Sequence, residues 1–304
     1  MKSSIVMKHA FSILFVASAI VACAGASSAN TVEANDTIKE ESNAVEEVAP
    51  CAEFRIDTSG MTIRTRFSCT ADGFVRSEVK AGSWADYLLN LPLHSADYPC
   101  HYYDGGTKEW SFTAAVINMD IDNEDIQQCA DAVMRLRGEY LYSTKQYDKL
   151  HFNFTNGFRC DFVSWAEGKR VGIQGNKTWW NENAAPRDYS YSNFRKWMRM
   201  VFYYAGSYSL SRELKPVSLP DLQIGDVLII GGTPGHAELV VDMYKNSTTG
   251  DVRIMLAQSY MPAQEIEIIY NSDYSPWYTI TPNDTDVNTT SYYFSTSNFM
   301  RFAE

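Results

Sequence analysis

The chain is short of positive charge: 26 Lys and Arg stand against 37 Asp and Glu, a formal net charge of −11. Nucleic acid and anionic lipid surfaces both require clustered cations, so neither is expected as a docking partner. Metal and nucleotide signatures are missing as well. There is no Cys-x-x-Cys pair, no His-Glu-x-x-His, no Gly-x-Ser-x-Gly elbow and no phosphate-binding loop. Asp120-Ile-Asp122-Asn-Glu124-Asp125 begins like a calcium loop but lacks its glycine and reads as a helix cap. His94, His101 and His151 are scattered without metal spacing, so no metal or other cofactor is expected. No apolar run of 18 residues occurs, which leaves no spanning helix.

What is present begins with an export signal over residues 1–22. Lys2 and Lys8 precede the apolar run Ala10–Ala22, which is too short for a bilayer that takes about 20 helical residues. Ile20-Val21-Ala22-Cys23 resembles a bacterial lipobox, and that resemblance makes Cys23 the acylated first residue of the mature chain. The lipid bilayer is then a partner through Cys23, and the chain is exported and anchored to the cell envelope. The outer membrane is the favoured reading, with the membrane face open. Residues 23–50 carry six acids against Lys39 and no aromatic residue, which reads as a disordered acidic tether. Removing +2 for the signal and −5 for the tether leaves −8 on the remainder.

The remainder divides on pattern into a small β-rich region, 51–83, and a main domain, 84–304. Five cysteines follow Cys23, an odd number, so at least one thiol is unpaired. Cys51 with Cys69 is a reasonable pair. Cys129 falls on the apolar face of a predicted helix, Glu124–Tyr142 capped by Asp122, and reads as a small buried hydrophobe. Further helices are predicted over Trp84–Pro92, Cys160–Glu167 and Tyr191–Tyr204. Strands are predicted over Ser111–Met119, His151–Gly157, Val227–Ile230, Ala237–Met243, Val252–Gln258 and Glu265–Tyr270. Helices first and antiparallel strands after is an α+β order.

Four phrases resemble one family. They are Gln127-Gln-Cys-Ala-Asp-Ala-Val-Met-Arg-Leu-Arg137, Phe154-Thr-Asn-Gly-Phe158, Gly225-Asp226-Val227 with Gly232-Thr-Pro-Gly-His-Ala237, and Leu256-Ala-Gln-Ser-Tyr-Met-Pro-Ala-Gln264. The family is one of bacterial envelope proteins, common in Bacteroides relatives, with a domain of unknown function, and the likeness covers about Trp84–Glu304. A more distant resemblance is to the NlpC/P60 papain-like amidases, where a cysteine opens a helix and a histidine begins a strand after a Gly-Asp-Val/Leu strand. Cys160, Gly225-Asp226 and His236 stand in that order. The implied fold is papain-like, with helices packed on an antiparallel sheet.

Under that resemblance Cys160 is the nucleophile, His236 its base, and Gln258 the group that orients the imidazole, with Asp242 as the alternative. Cys160 also reads as a structural thiol, and His236 as a core histidine that the Gly-rich loop merely approaches. Trp179 and Trp180, Trp277, and Arg170 are candidates for substrate binding, the tryptophans as stacking platforms and the arginine for a carboxylate. The function implied is a thiol amidase or peptidase acting on peptidoglycan or peptides. The alternative is a non-catalytic envelope module of the same fold that binds a glycan or protein at the cleft.

Overall fold

Apolar strands, most of them in the last third of the chain, form a nine-stranded antiparallel sheet. The computed structural model describes residues 53–109 and 112–303; the signal, the tether, Cys23 and Cys51 lie outside the described residues. Along its main path the sheet runs Thr113–Val116, Glu267–Ile269, Val252–Gln258, His236–Asn246, Val227–Ile230, Phe299–Arg301, Lys215–Pro216. Tyr278–Ile280 pairs with Val252–Gln258, and Phe74–Arg76 pairs with His236–Asn246. The 51–83 region is therefore tied to the main sheet, Arg76 standing opposite Tyr244. The protein is a mixed α+β structure.

His236–Asn246 is the central strand, with nine consecutive buried residues from His236 to Tyr244. The unbroken run Leu239-Val240-Val241 has no polar face to turn to water, so the strand is covered on both sides. Its register is fixed by Leu239 opposite Ala257 and by Ile230 opposite His236, with a bulge between Val240 and Asp242. Cross-strand partners Gln258 and Glu267 extend the sheet on the next strand.

Two long helices pack together, and one of them lies against this sheet. Tyr191–Tyr204 buries Phe194, Trp197, Met198 and Val201 completely, the i, i+3, i+4, i+7 spacing of a core-facing stripe. Cys129–Ser143 lies against the central strand and is buried along most of its length. It begins five residues later than the predicted Glu124–Tyr142. The start is fixed by Asp131, whose Oδ2 accepts the backbone N–H of Gln128 at 3.1 Å, and not by Asp122, which instead pairs with Arg195. Gly138 lets the two helices approach, since a Cβ there would sit 2.9 Å from Met198 Sδ.

The predicted helix at Cys160 is corrected too. Cys160 lies in the strand Arg159–Asp161, paired with Phe152 across a two-stranded sheet. The helix that follows, Phe162–Ala166, is capped by Asp161, whose Oδ1 accepts the N–H of Ser164 at 2.7 Å. The Cys51–Cys69 pair lies in part outside the described residues; Cys69 itself is buried, and its sulfur accepts a hydrogen bond from Arg253 at 3.6 Å.

Candidate functional site

His236 opens the central strand behind the turn Gly231-Gly232-Thr233-Pro234-Gly235. A side chain at Gly235 would place Cβ 2.6 Å from the carbonyl oxygen of Gly232 and 2.5 Å from Ser207 Oγ, so only glycine allows this close return of the backbone. The turn leaves His236 2% exposed at the bottom of a cleft of about 690 Å³. Tyr292 stacks on the imidazole at 5.3 Å and Tyr260 flanks it at 5.1 Å.

The thiol that meets this imidazole is Cys129. It is half-buried, stands at the first position of its helix, lines the same cleft, and helps to favour the charged form of the His236 ring. Cys160 is not brought to the site. Its sulfur is fully buried beside the Trp197 indole, and burial pushes the thiol far above its ordinary titration range. The assignment of the nucleophile to Cys160 is corrected on that ground. Sequence reasoning missed Cys129 because it treated the residue as the interior of a longer helix. The signal that could have found it is Gln128-Cys129 with Asp131 following, a helix start with its own cap.

Gln258 is brought to His236: its Oε1 lies 2.7 Å from His236 Nε2. Glu238, two residues along the same strand and on the same face, has Oε1 3.4 Å from the same nitrogen. Its carboxylate is fully buried; Oε1 accepts from Thr289 at 2.8 Å, and Oε2 has no hydrogen-bond partner among the described residues. Burial disfavours the imidazolium, but contacts with Cys129 and Glu238 outweigh it and hold His236 up at about 10. Asp242, the alternative orienting group, faces Arg76 at 3.0 Å elsewhere on the strand, and burial pushes it up to about 6.

The residues suggested for substrate binding lie elsewhere. Trp277 is 2% exposed, packed edge-on against Tyr244 in the core, so it offers no platform. Arg170 stacks on Trp165 at 4.2 Å and donates to the Trp165 carbonyl at 2.8 Å, which leaves it occupied by the fold. Trp179 and Trp180 sit in the hairpin of Arg170–Gln174 and Lys177–Asn181. Trp180 packs on Phe158 and Trp179 is 42% exposed; neither lines the His236 cleft. The cleft takes its aromatic groups from Phe202, Tyr203, Tyr208, Tyr260 and Tyr292, with Asp125 and Asp131 as its acids and, among the described residues, no Lys or Arg. Among the described residues no cluster of His, Cys, Asp and Glu could hold a metal ion.

The molecule is thus an α+β protein whose central sheet presents a buried imidazole to a half-buried thiol at a helix start. Comparison with known families gives the particular one: the chain belongs to the family described as "Domain of unknown function (4846)", whose model matches residues 63–301. No curated protein and no solved structure matches it.

Proposed function

We propose that the protein is a papain-like thiol amidase or peptidase with Cys129 as nucleophile, His236 as acid–base and Gln258 as the group that orients the imidazole. The observation that carries this reading is that Cys129, first residue of its helix, lines the same cleft as His236 and favours the charged form of its ring. Thiolates are the nucleophilic form of cysteine, and helix N-termini and imidazolium ions both favour them. With Nε2 engaged by Gln258 and Glu238, Nδ1 is the nitrogen left to serve the thiol.

In the proposed reaction the Cys129 sulfur adds to an amide carbonyl carbon while the imidazolium keeps the proton taken from the thiol. As the C–N bond breaks, His236 gives that proton to the leaving amine, and a thioester remains on Cys129. Water then attacks the thioester, His236 takes its proton, and the acid leaves as the Cys129 thiolate and the imidazolium re-form. Backbone N–H groups in the first helical turn have no carbonyl partner within the helix and suit an oxyanion.

The substrates proposed are amide bonds of peptidoglycan or of peptides. A cleft with aromatic walls, two acids and, among the described residues, no Lys or Arg supports neutral or cationic segments over anionic ones. Placement in the cell envelope, with Cys23 acylated, rests on residues 1–23. No helix among the described residues is long and apolar enough to cross a membrane.

The test is to incubate wild type and Cys129→Ser with isolated peptidoglycan and with a mixed peptide pool, and to read new free amines by mass spectrometry. Release by the wild type alone supports the hydrolase. Binding to either material without release by either protein supports the binding module instead.

A further inference from the structure

A glutamine beside a catalytic imidazole poses a problem that a carboxylate does not. Its amide has an acceptor end and a donor end of nearly the same shape, and only the acceptor end can receive Nε2–H. Something must decide which way Gln258 faces. Its Nε2 donates to Ser291 Oγ at 2.7 Å and to Glu267 Oε1 at 3.0 Å. The serine hydroxyl accepts or donates equally well, so it does not choose. Glu267 does: an ionised carboxylate only accepts. It is fully buried, sits directly opposite Gln258 on the neighbouring strand, and its Oε1 also receives Lys108 Nζ at 2.6 Å and Gln264 Nε2 at 2.9 Å. Its other oxygen accepts from Thr113 Oγ1. Lys108 only donates, so it in turn requires an oxygen at Oε1. Gln264, like Gln258, could face either way.

From this we infer that Glu267 and Lys108 are positioning residues: acting through Gln258, they fix the acceptor that holds the proton on His236 Nε2 and so leave Nδ1 for Cys129. The inference rests on the proposed roles of Cys129 and His236 and adds to them the parts that set the imidazole's proton arrangement. Neither residue touches the cleft chemistry. The titratable groups that face His236 itself are Cys129, Glu238, Tyr260 and Tyr292. Of these Glu238 is the rival, since it too accepts from Nε2, at 3.4 Å against 2.7 Å for Gln258.

Volume-conserving substitutions separate the two. In Glu267→Gln, Lys108 still demands an oxygen and the glutamine must present it, so Gln258 keeps its orientation. In Lys108→Met with Glu267→Gln, no partner other than the imidazolium itself is donor-only or acceptor-only, so Gln258 is free to turn once the ring is neutral. Adding Gln258→Glu to that pair restores an obligatory acceptor, because a carboxylate has no wrong way round. The full chain labelled with ¹⁵N-histidine is read by NMR, with His236 assigned by its loss in His236→Gln. Alkylation of Cys129 by iodoacetamide is followed in parallel.

In Glu267→Gln the hydrogen-bonded Nε2–H signal and the ring titration stay as in wild type. In the double variant the signal is lost, the titration falls by about one pH unit or more, and alkylation slows by about tenfold at the same pH. The triple variant recovers all three. An unchanged Nε2–H signal in the double variant assigns the proton to Glu238 and overturns the proposal. So does its loss in Glu267→Gln alone, or a triple variant that folds but does not recover. A wild-type Cys129 that never alkylates would sink the catalytic reading while leaving the NMR result to decide this one.

Discussion

His236 and Gln258 face each other from neighbouring strands, Nε2 to Oε1 at 2.7 Å, with both side chains almost completely buried. A hydrogen bond in that setting has no water to replace it if one partner is removed. Substituting Gln258 by Met, which keeps the volume and removes the acceptor, should lower kcat by about a hundredfold with little change in KM. Steady-state kinetics on a substrate found by amine release is the check; equal loss in both parameters would argue for a substrate contact instead.

The two cysteines separate in their consequences. Cys129→Ser should abolish turnover and leave the thermal midpoint nearly unchanged, because the residue is half-buried at a helix start. Cys160→Ser should do the reverse. It puts a hydroxyl against Trp197 in a fully buried site and should destabilise by about 1–3 kcal/mol while turnover persists. Chemical denaturation of the two variants beside activity gives the comparison.

The pH dependence follows from the raised imidazole. His236 titrates ordinarily at 6.5 and is held at about 10 in the fold. A raised group binds its proton more tightly when folded, so its stabilising contribution is complete below 6.5 and is lost as pH rises through about 10. The difference in unfolding free energy between wild type and His236→Gln should therefore be larger at pH 6 than above pH 10. A difference that grows with pH would contradict the assigned charge state.

Gly235 carries the turn into His236. Gly235→Ala drives Cβ against two backbone oxygens, those of Gly232 at 2.6 Å and Ile230 at 2.7 Å, neither of which can rotate away. The expected cost is about 1–3 kcal/mol, together with loss of Cys129 alkylation because the histidine is displaced. A neutral melt with wild-type alkylation would show that the turn has slack.

Trp277 and Trp179 look alike in sequence and should behave oppositely. Trp277→Ala opens the core beside Tyr244 and should cost about 3–5 kcal/mol. Trp179→Ala, on an exposed hairpin, should leave the midpoint nearly where it was. Parallel thermal melts decide it.

The strands around His236 were legible because their signals are strong. Val227–Ile230 and Val252–Gln258 have the predicted bounds, and Gly231–Gly235 announced a close backbone approach. The helix starts were less legible, and the identity of the thiol turned on them. Apolar periodicity runs back past Cys129 to Ile126, so the pattern alone extends the helix toward Asp122. The cap at Asp131 begins it at Cys129 and turns an apparent interior residue into the first one. At the other cysteine the predicted start is early as well: Asp161 caps, and Cys160 is left in the preceding strand. Glu238 and Glu267 were not legible at all. Buried carboxylates on strands read as solvent-facing residues until the register shows which face is covered and which partners neutralise them.

The most direct measurement is residue-resolved alkylation of the native full chain by a limiting amount of iodoacetamide at pH 6, read by peptide mass spectrometry, in wild type and in His236→Ala. The account predicts that Cys129 is modified first in the wild type, that Cys160 stays unmodified until the protein unfolds, and that His236→Ala slows Cys129 by about tenfold or more. Preferential modification of Cys160, or a Cys129 rate indifferent to His236, would contradict it.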